Sequence, residues 1–160
     1  LVAQLRTHLA GLLAHKKALA RDLERRVKAH ADLHRRFELV RSLPGVGVIV
    51  ALAIVIRMPE LGHMQHGQPA ALLGVAPFAH DSGAHKGQRF ITGGRRRPRR
   101  LLYLAALAAK RCDPALKAFA NRLATAGKPP KLIVIAVMRK LIEAANLVLA
   151  RDSIWLSQRN

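Results

Sequence analysis

The first 41 residues contain no proline, and their apolar side chains recur at alternating steps of three and four. Polar residues fill three positions of this seam, at Lys16, Arg26 and His30. The apolar positions are Leu5, Leu9, Leu12, Leu19, Leu23, Leu33, Phe37 and Val40. The heptad-like spacing predicts one long helix over residues 1–41 that pairs with another helix. The partner is either a second copy, giving a homo-oligomer through residues 1–40, or the chain's own domain.

The rest of the chain also carries helix signals, and no stretch of useful length alternates as a strand does. Asp113-Pro114 is typical of an N-cap followed by proline at the first helical position, and Gly127 is placed to end that helix. We therefore predict an all-α protein, with a coiled-coil-like helix over residues 1–41 and a compact helical domain over residues 42–160. The stripe predicted to be buried on the last helix consists of Leu132, Ile135, Ala136, Leu141, Ala145 and Leu149.

The stretch "LPGVG", residues 43–47, precedes an apolar helix and is typical of a helix-hairpin-helix. Its two glycines permit a tight turn. The backbone amides of Gly45, Val46 and Gly47, together with the dipole of the following helix, can hold a phosphate oxygen without reading any base. The alternative is a Pro-Gly turn that only joins two packed helices.

The charge of the chain narrows the class of partner. It has 28 Lys and Arg against 9 Asp and Glu, a formal charge of +19, which favours a polyanion and nucleic acid above all. No apolar run reaches the roughly 18 residues of a membrane span, so no membrane role is expected.

No acidic residue lies between Asp81 and Asp113. The cations of this interval to which we assign DNA binding are Lys86, Arg89, Arg95, Arg96, Arg97, Arg99 and Arg100. Such an uncompensated run predicts phosphate contacts rather than a solvated face, and the scarcity of aromatic residues favours duplex or structured nucleic acid.

The chain offers few residues for a metal or a disulfide. The single cysteine, Cys112, excludes an internal disulfide and a cysteine-based zinc site. Its helical context predicts a small buried side chain. We expect the protein to reside in a reducing cytoplasm. His63 and His66 are three residues apart, but no nearby carboxylate or cysteine completes a metal set. We therefore assign no metal-binding residue. The first residues have no features of a secretion signal, and we expect a fragment that begins inside a helix.

Four motifs occur in a fixed order: "LPGVG", "LLGVAPFAHDSGAHKGQRFITGGRRRPRRLLYLAAL", "KAFANRLATAGKPPK" and "MRKLIEAANLVL". Together they resemble the C-terminal transposase domain of the insertion-sequence family that includes the Piv DNA invertase and the bridge-RNA-guided recombinases. The resemblance covers roughly residues 40–150, and residues 1–40 match the preceding coiled coil in position. Val75 stands where the family often has Leu, and Arg95–Arg97 is more basic than usual.

The resemblance implies a bacterial DNA recombinase or transposase in two parts. An N-terminal RNase H-like domain, absent from this chain, would bind Mg²⁺ through carboxylates, so no cofactor is expected in the chain itself. The domain present here would supply the serine of a "DSG" motif, matched by Ser82, which attacks DNA and becomes transiently linked to its phosphate. DNA is the implied partner, and a guide RNA stays open as a second one. The isolated chain is expected to bind DNA without cutting it.

The chemistry at Ser82 needs further groups, because a serine hydroxyl is a weak nucleophile at neutral pH. The candidate local bases are His80 and His85, with Mg²⁺ from the other domain as the alternative, and the flanking cations would stabilise the charge on the attacked phosphorus. Apart from the resemblance, Ser82 between Asp81 and Gly83 is an ordinary turn serine. Two other classes therefore stay open: a non-catalytic helix-hairpin-helix module and a structural RNA-binding protein of the ribosomal kind.

Overall fold

The computed structural model describes residues 1–76 and 93–156, and every regular element within these ranges is a helix. This confirms the all-α prediction. The helices are α1 (Val2–Lys28), α2 (Ala31–Arg41), α3 (Val48–Arg57), α4 (Gln68–Leu73), α5 (Arg96–Cys112), α6 (Pro114–Thr125) and α7 (Pro130–Ala150). Among them, none combines the length and the apolar character needed to span a bilayer.

The single helix predicted over residues 1–41 is in fact two helices. α1 ends at Lys28, and His30 has an extended backbone (φ −114°, ψ 112°) as the N-cap of α2. The break therefore falls at one of the polar positions of the seam. Beyond it, Phe37 and Val40 are buried in the core. Before it, Val27 is the residue of α1 that is buried, and the leucines of the seam from Leu5 to Leu23 are 45–60% exposed.

The core is built around α7, which contacts α2, α4, α5 and α6. The predicted buried stripe on this helix is confirmed at Leu141 and Ala145 and wrong at Leu132, which is 47% exposed. The other members of that stripe are half-buried. A helix surrounded on several sides buries a wide arc rather than one narrow stripe. The additional buried side chains of α7 include Ile133, Val134, Val137, Met138, Ile142 and Val148.

The junction between α5 and α6 has the predicted cap. The Asp113 side chain accepts a hydrogen bond from the Leu116 amide at 2.9 Å, and Pro114 is the first residue of α6. The chain therefore passes from α5 to α6 at a single buried residue. The prediction that Cys112 is buried is wrong: its side chain is exposed. Cys112 is the last residue of α5, three residues beyond Ala109, which is the last buried residue of that helix.

Candidate nucleic-acid interface

The "LPGVG" stretch forms a turn between α2 and α3, which pack against each other. Val46 is buried, and Gly45 has a positive φ of +72°. A Cβ atom on Gly45 would lie 2.6 Å from the backbone nitrogen of Ala109 and closer still to the carbonyl oxygen of Ala105, both in α5. Glycine is required here on two grounds, the left-handed backbone and the direct approach of another helix.

The second glycine of the turn has a different environment. Gly47 is the exposed N-cap of α3, with φ −88° and ψ 175°, and nothing lies within 4 Å of the position of an added Cβ. No side chain caps this end of α3. The first amides of a helix lack intrahelical partners, and the helix dipole adds partial positive charge there. The turn therefore combines a tightly packed glycine with an accessible helix N-terminus suited to an anion.

The arginine run forms the first turn of α5. Arg95 is the N-cap, and Arg96, Arg97 and Arg100 are exposed around the buried Pro98. The first turn contains no acidic residue. Cations at the positive end of a helix dipole are unfavourably placed unless an anion is bound beside them. Both the sequence and the helix geometry therefore concentrate positive charge at this end of α5, which favours a bound polyanion.

Two arginines of the run are engaged within the chain itself. Arg95 donates to both carboxylate oxygens of Glu60, at 2.8 and 2.5 Å, and to the carbonyl oxygen of Arg57. These hydrogen bonds hold the pKa of the Glu60 carboxyl below its usual value and raise the pKa of Arg95. Arg99 Nη1 donates to the carbonyl oxygens of Gly74 at 3.1 Å and Gly93 at 2.8 Å. The run thus divides into two residues with partners in the protein and three directed to solvent.

The other predicted site residues, Ser82, Lys86 and Arg89, lie in segment 77–92, outside the described residues, as do the candidate bases. The described chain reaches Ala76 on one side of that segment and resumes at Gly93 on the other. Across residues 1–76 and 93–156, no group of three or more His, Cys, Asp or Glu side chains could hold a metal ion. The described part of the site is therefore marked by exposed cations and by a helix N-terminus, whose chemistry suits an anion.

The sequence profile of the IS116/IS110/IS902 transposase family matches residues 37–121 of the chain. The chain belongs to the IS116/IS110/IS902 transposase family. The matched region includes the turn between α2 and α3, segment 77–92 and all of α5. The matched region therefore contains every residue for which DNA binding or catalysis is predicted from the sequence.

Relatives of this transposase-family chain are known from several bacteria. It is 27% identical over 158 residues to the 43.6 kDa protein of insertion element IS110 from Streptomyces coelicolor, a match covering 94% of the chain and 38% of that protein. It is 28% identical over 139 residues to the 42 kDa protein of insertion element IS900 from Mycobacterium paratuberculosis, covering 84% and 34%. The pilin gene-inverting protein of Moraxella bovis is 28% identical over 125 residues, covering 76% and 39%. The chain spans between 34% and 39% of the length of these relatives.

A second group of cations in this transposase-family chain was not predicted from the sequence. No acidic residue lies between Asp113 and Glu143, just as none lies between Asp81 and Asp113. Two of these cations lie over the ring of Phe119. Lys140 Nζ is 4.7 Å from the ring centroid, and the guanidinium carbon of Arg122 is 5.4 Å from it. The cations of this interval are Lys117, Arg122, Lys128, Lys131, Arg139 and Lys140. The signal that revealed the arginine run, a long interval without acids, would have found them too.

Proposed function

We propose that this chain is the DNA-binding, C-terminal part of a transposase or site-specific recombinase, and that Ser82 is its nucleophile for strand cleavage and exchange. The observation that carries the proposal is the family match over residues 37–121, which spans the Asp81-Ser82-Gly83 motif and the cationic start of α5. The name of the pilin gene-inverting protein further supports a reaction on DNA.

In the proposed reaction, Ser82 Oγ gives up its proton and forms a bond to a DNA phosphorus. The bond from that phosphorus to one bridging sugar oxygen breaks, and this oxygen takes up a proton and leaves as a strand-end hydroxyl. The hydroxyl of a second strand end then attacks the phosphoserine, which restores a phosphodiester and releases Ser82. The charge that develops on the phosphorus oxygens is stabilised by cations already in place around them.

The proton of Ser82 requires an acceptor. His80 and His85 are the candidates within the chain. Mg²⁺, bound by an RNase H-like domain of the complete protein, would instead lower the pKa of the hydroxyl. The described residues of this chain do not themselves bring together the carboxylates that such an ion needs. The isolated chain is accordingly proposed to bind DNA and to need the rest of the protein for cleavage, and a guide RNA is a further proposed partner.

The DNA backbone is proposed to contact two places on the described surface. One is the accessible N-terminus of α3 at Gly47, and the other is the exposed face formed by Arg96, Arg97 and Arg100. Both recognise phosphate, so they fix the position of the protein on DNA without reading its sequence.

Changing Arg96, Arg97 and Arg100 together to Gln is expected to reduce the salt dependence of duplex binding. Each phosphate neutralised contributes about 0.9 to the slope of log K against log salt concentration, so the slope should fall by roughly 2 to 3 units. Fluorescence anisotropy with a labelled duplex over a range of KCl concentrations measures it. As a matched control, the exposed Lys117, Lys128 and Lys131 are changed to Gln, which removes the same charge outside both proposed contacts. Equal slopes in the two variants would show that the run acts only through net charge.

The exposed seam of α1 is proposed to pair with the same helix of a second copy. The large apolar side chains of α1 from Val2 to Leu23 are at least 45% exposed, and exposed apolar side chains at heptad-like spacing are typical of a helix-pairing interface. Removing residues 1–20 is therefore expected to convert a dimer or larger assembly into a monomer, as measured by sedimentation velocity. The deletion stops before Val27, because Val27 and α2 belong to the core.

A point variant separates this interface from any other effect of the deletion. This variant replaces Leu5, Leu9 and Leu12 by Gln, which keeps the helix length but removes apolar side chains from its seam. It should also be a monomer. Assembly that persists in both variants would place the interface elsewhere on the molecule.

A further inference from the structure

The two described chain ends on either side of segment 77–92 meet beside the start of α5. The Arg95 amide donates to the Leu72 carbonyl oxygen at 3.1 Å. Gly74 and Gly94 both have positive φ, +81° and +72°, and their backbones are in direct contact. A Cβ atom on Gly94 would lie 2.5 Å from the Leu73 carbonyl carbon and closer still to the Gly74 nitrogen. We call residues 72–76 and 93–95 the segment base.

Arg99 joins the two sides of the segment base through one atom. Its Nη1 donates to Gly74 on one side and to Gly93 on the other. A Cβ atom on Gly74 would lie 2.6 Å from this nitrogen and closer still to the Gly93 carbonyl oxygen. Glycine at position 74 therefore leaves room for both the guanidinium and the Gly93 backbone. The first turn of α5 therefore supplies the donor that holds both ends in place.

Arg95 links the segment base to the C-terminal end of α3 and to the residues just after it. Its guanidinium makes a bidentate ion pair with Glu60 and also donates to the carbonyl oxygen of Arg57. A bidentate arginine–carboxylate pair fixes direction as well as distance, because both groups are planar. The side chains of Arg95 and Glu60 are 34% and 44% exposed, so the pair lies at the surface.

We propose that Glu60, Arg95 and Arg99 are positioning residues that fix both ends of the segment carrying Ser82, and that Arg95 is not a phosphate ligand. The proposal rests on the proposed function of Ser82 for its catalytic meaning. Its physical basis is independent of that function: three of the five Arg95 guanidinium N–H groups already have protein acceptors, and the charge of Arg95 is opposed by Glu60. Fixing the ends of a segment limits where its middle can lie, and a misplacement of about 1 Å can slow a reaction about 100-fold.

Glu60→Gln separates positioning from phosphate binding, because the two roles predict opposite results. If Arg95 binds phosphate, removing its competing carboxylate frees its charge and strengthens DNA binding without slowing the reaction. If Arg95 positions the segment, the rate of covalent attachment to a saturating DNA substrate falls roughly 10- to 100-fold in the complete protein, with Kd changed by less than about twofold. Glu38→Gln is the matched control, since Glu38 is also a surface carboxylate in ion-pair contact with an arginine, Arg41.

Arg95→Gln completes the comparison. In the chain by itself, positioning predicts an unchanged salt slope for duplex binding, whereas loss of a phosphate ligand lowers the slope by about 0.9. In the complete protein, the double variant of Glu60 and Arg95 should be no slower than either single variant, because all three lose the same pair. A slope that falls by about one unit, or tighter binding with an unchanged attachment rate in Glu60→Gln, overturns the proposal.

A third measurement does not depend on catalysis. Trypsin cleavage after Lys86 and Arg89 should be faster in Glu60→Gln than in Glu38→Gln, with equal midpoints of thermal unfolding. If the complete protein forms no adduct at Ser82, the proposed function fails while the cleavage rates and the salt slope still decide whether the segment base is held in this way. Equal cleavage rates in the two variants would count against it. Arg95→Lys, which keeps the charge but loses the planar fork, replaces Glu60→Gln if that variant does not fold.

Discussion

Ser82→Ala in the complete protein is expected to abolish the proposed covalent attachment to DNA while leaving DNA affinity within about twofold. In the proposed mechanism the hydroxyl forms the bond to phosphorus, and its removal deletes few binding contacts. The assay uses Mg²⁺, a guide RNA if the protein requires one, and a nicked duplex that traps the intermediate. Mass spectrometry of the parent protein should place the nucleotide on Ser82.

An adduct on Ser82 is easily distinguished from one on another serine, because no other serine lies between Ser42 and Ser153. Ser153 is exposed, so Ser153→Ala is the matched control and should attach to DNA as the parent does. Ser42 is unsuitable as a control, since its hydroxyl donates to Leu39 and accepts from the Trp155 amide. An adduct or completed strand exchange in Ser82→Ala would make Ser82 a turn residue and place the nucleophile elsewhere in the protein.

Gly45→Ala is expected to destabilise the fold by about 2 to 5 kcal/mol. A left-handed backbone with a Cβ contributes roughly 1 to 2 kcal/mol, and overpacking against another backbone adds about 1 to 3 kcal/mol. The neighbouring atoms belong to the backbone of α5, which has little room to move away. Urea unfolding followed by circular dichroism measures the change. A loss below about 0.5 kcal/mol would mean that the turn does not pack on α5 as described.

Position 47 provides the contrasting variants. Gly47→Asp and Gly47→Asn should both fold at least as stably as the parent, because Asp and Asn are preferred N-cap residues and the site is open. Gly47→Asp should bind duplex DNA less tightly than Gly47→Asn, since a carboxylate at the end of α3 repels phosphate. Equal affinities of the two variants would show that this helix end makes no phosphate contact.

Local signals in the sequence predicted the helical class and several helix ends correctly. Asp113-Pro114 acts through groups within three residues of it, so the cap and the start of α6 could be recognised from the sequence alone. The break at His30 was missed, because the spacing of apolar residues continues across it and the change of direction depends on α2 packing into the core. The wide buried arc of α7 likewise depends on which helices surround it.

The roles of the arginines could not be separated from the sequence. Arg95 and Arg96 are neighbours of the same type, yet one is paired with Glu60 and the other is exposed. The pair joins residues 35 apart in the chain, and nothing at either position marks the other as its partner. Charge counting correctly found the cationic region, but only the folded chain shows which cations are already neutralised.

The position of α5 sets the spacing between the two proposed phosphate contacts. The turn that leads to the N-terminus of α3 rests on α5 at Ala105 and Ala109, while the exposed arginines lie at the start of the same helix. With a rise of about 1.5 Å per residue, eight to twelve residues from Arg97 correspond to roughly 12 to 18 Å along the axis. At about 3.4 Å per base pair, that length matches roughly four to five base pairs of duplex. If both proposed contacts bind one duplex, DNA with phosphates at that axial spacing would satisfy both of them without any contact to a base.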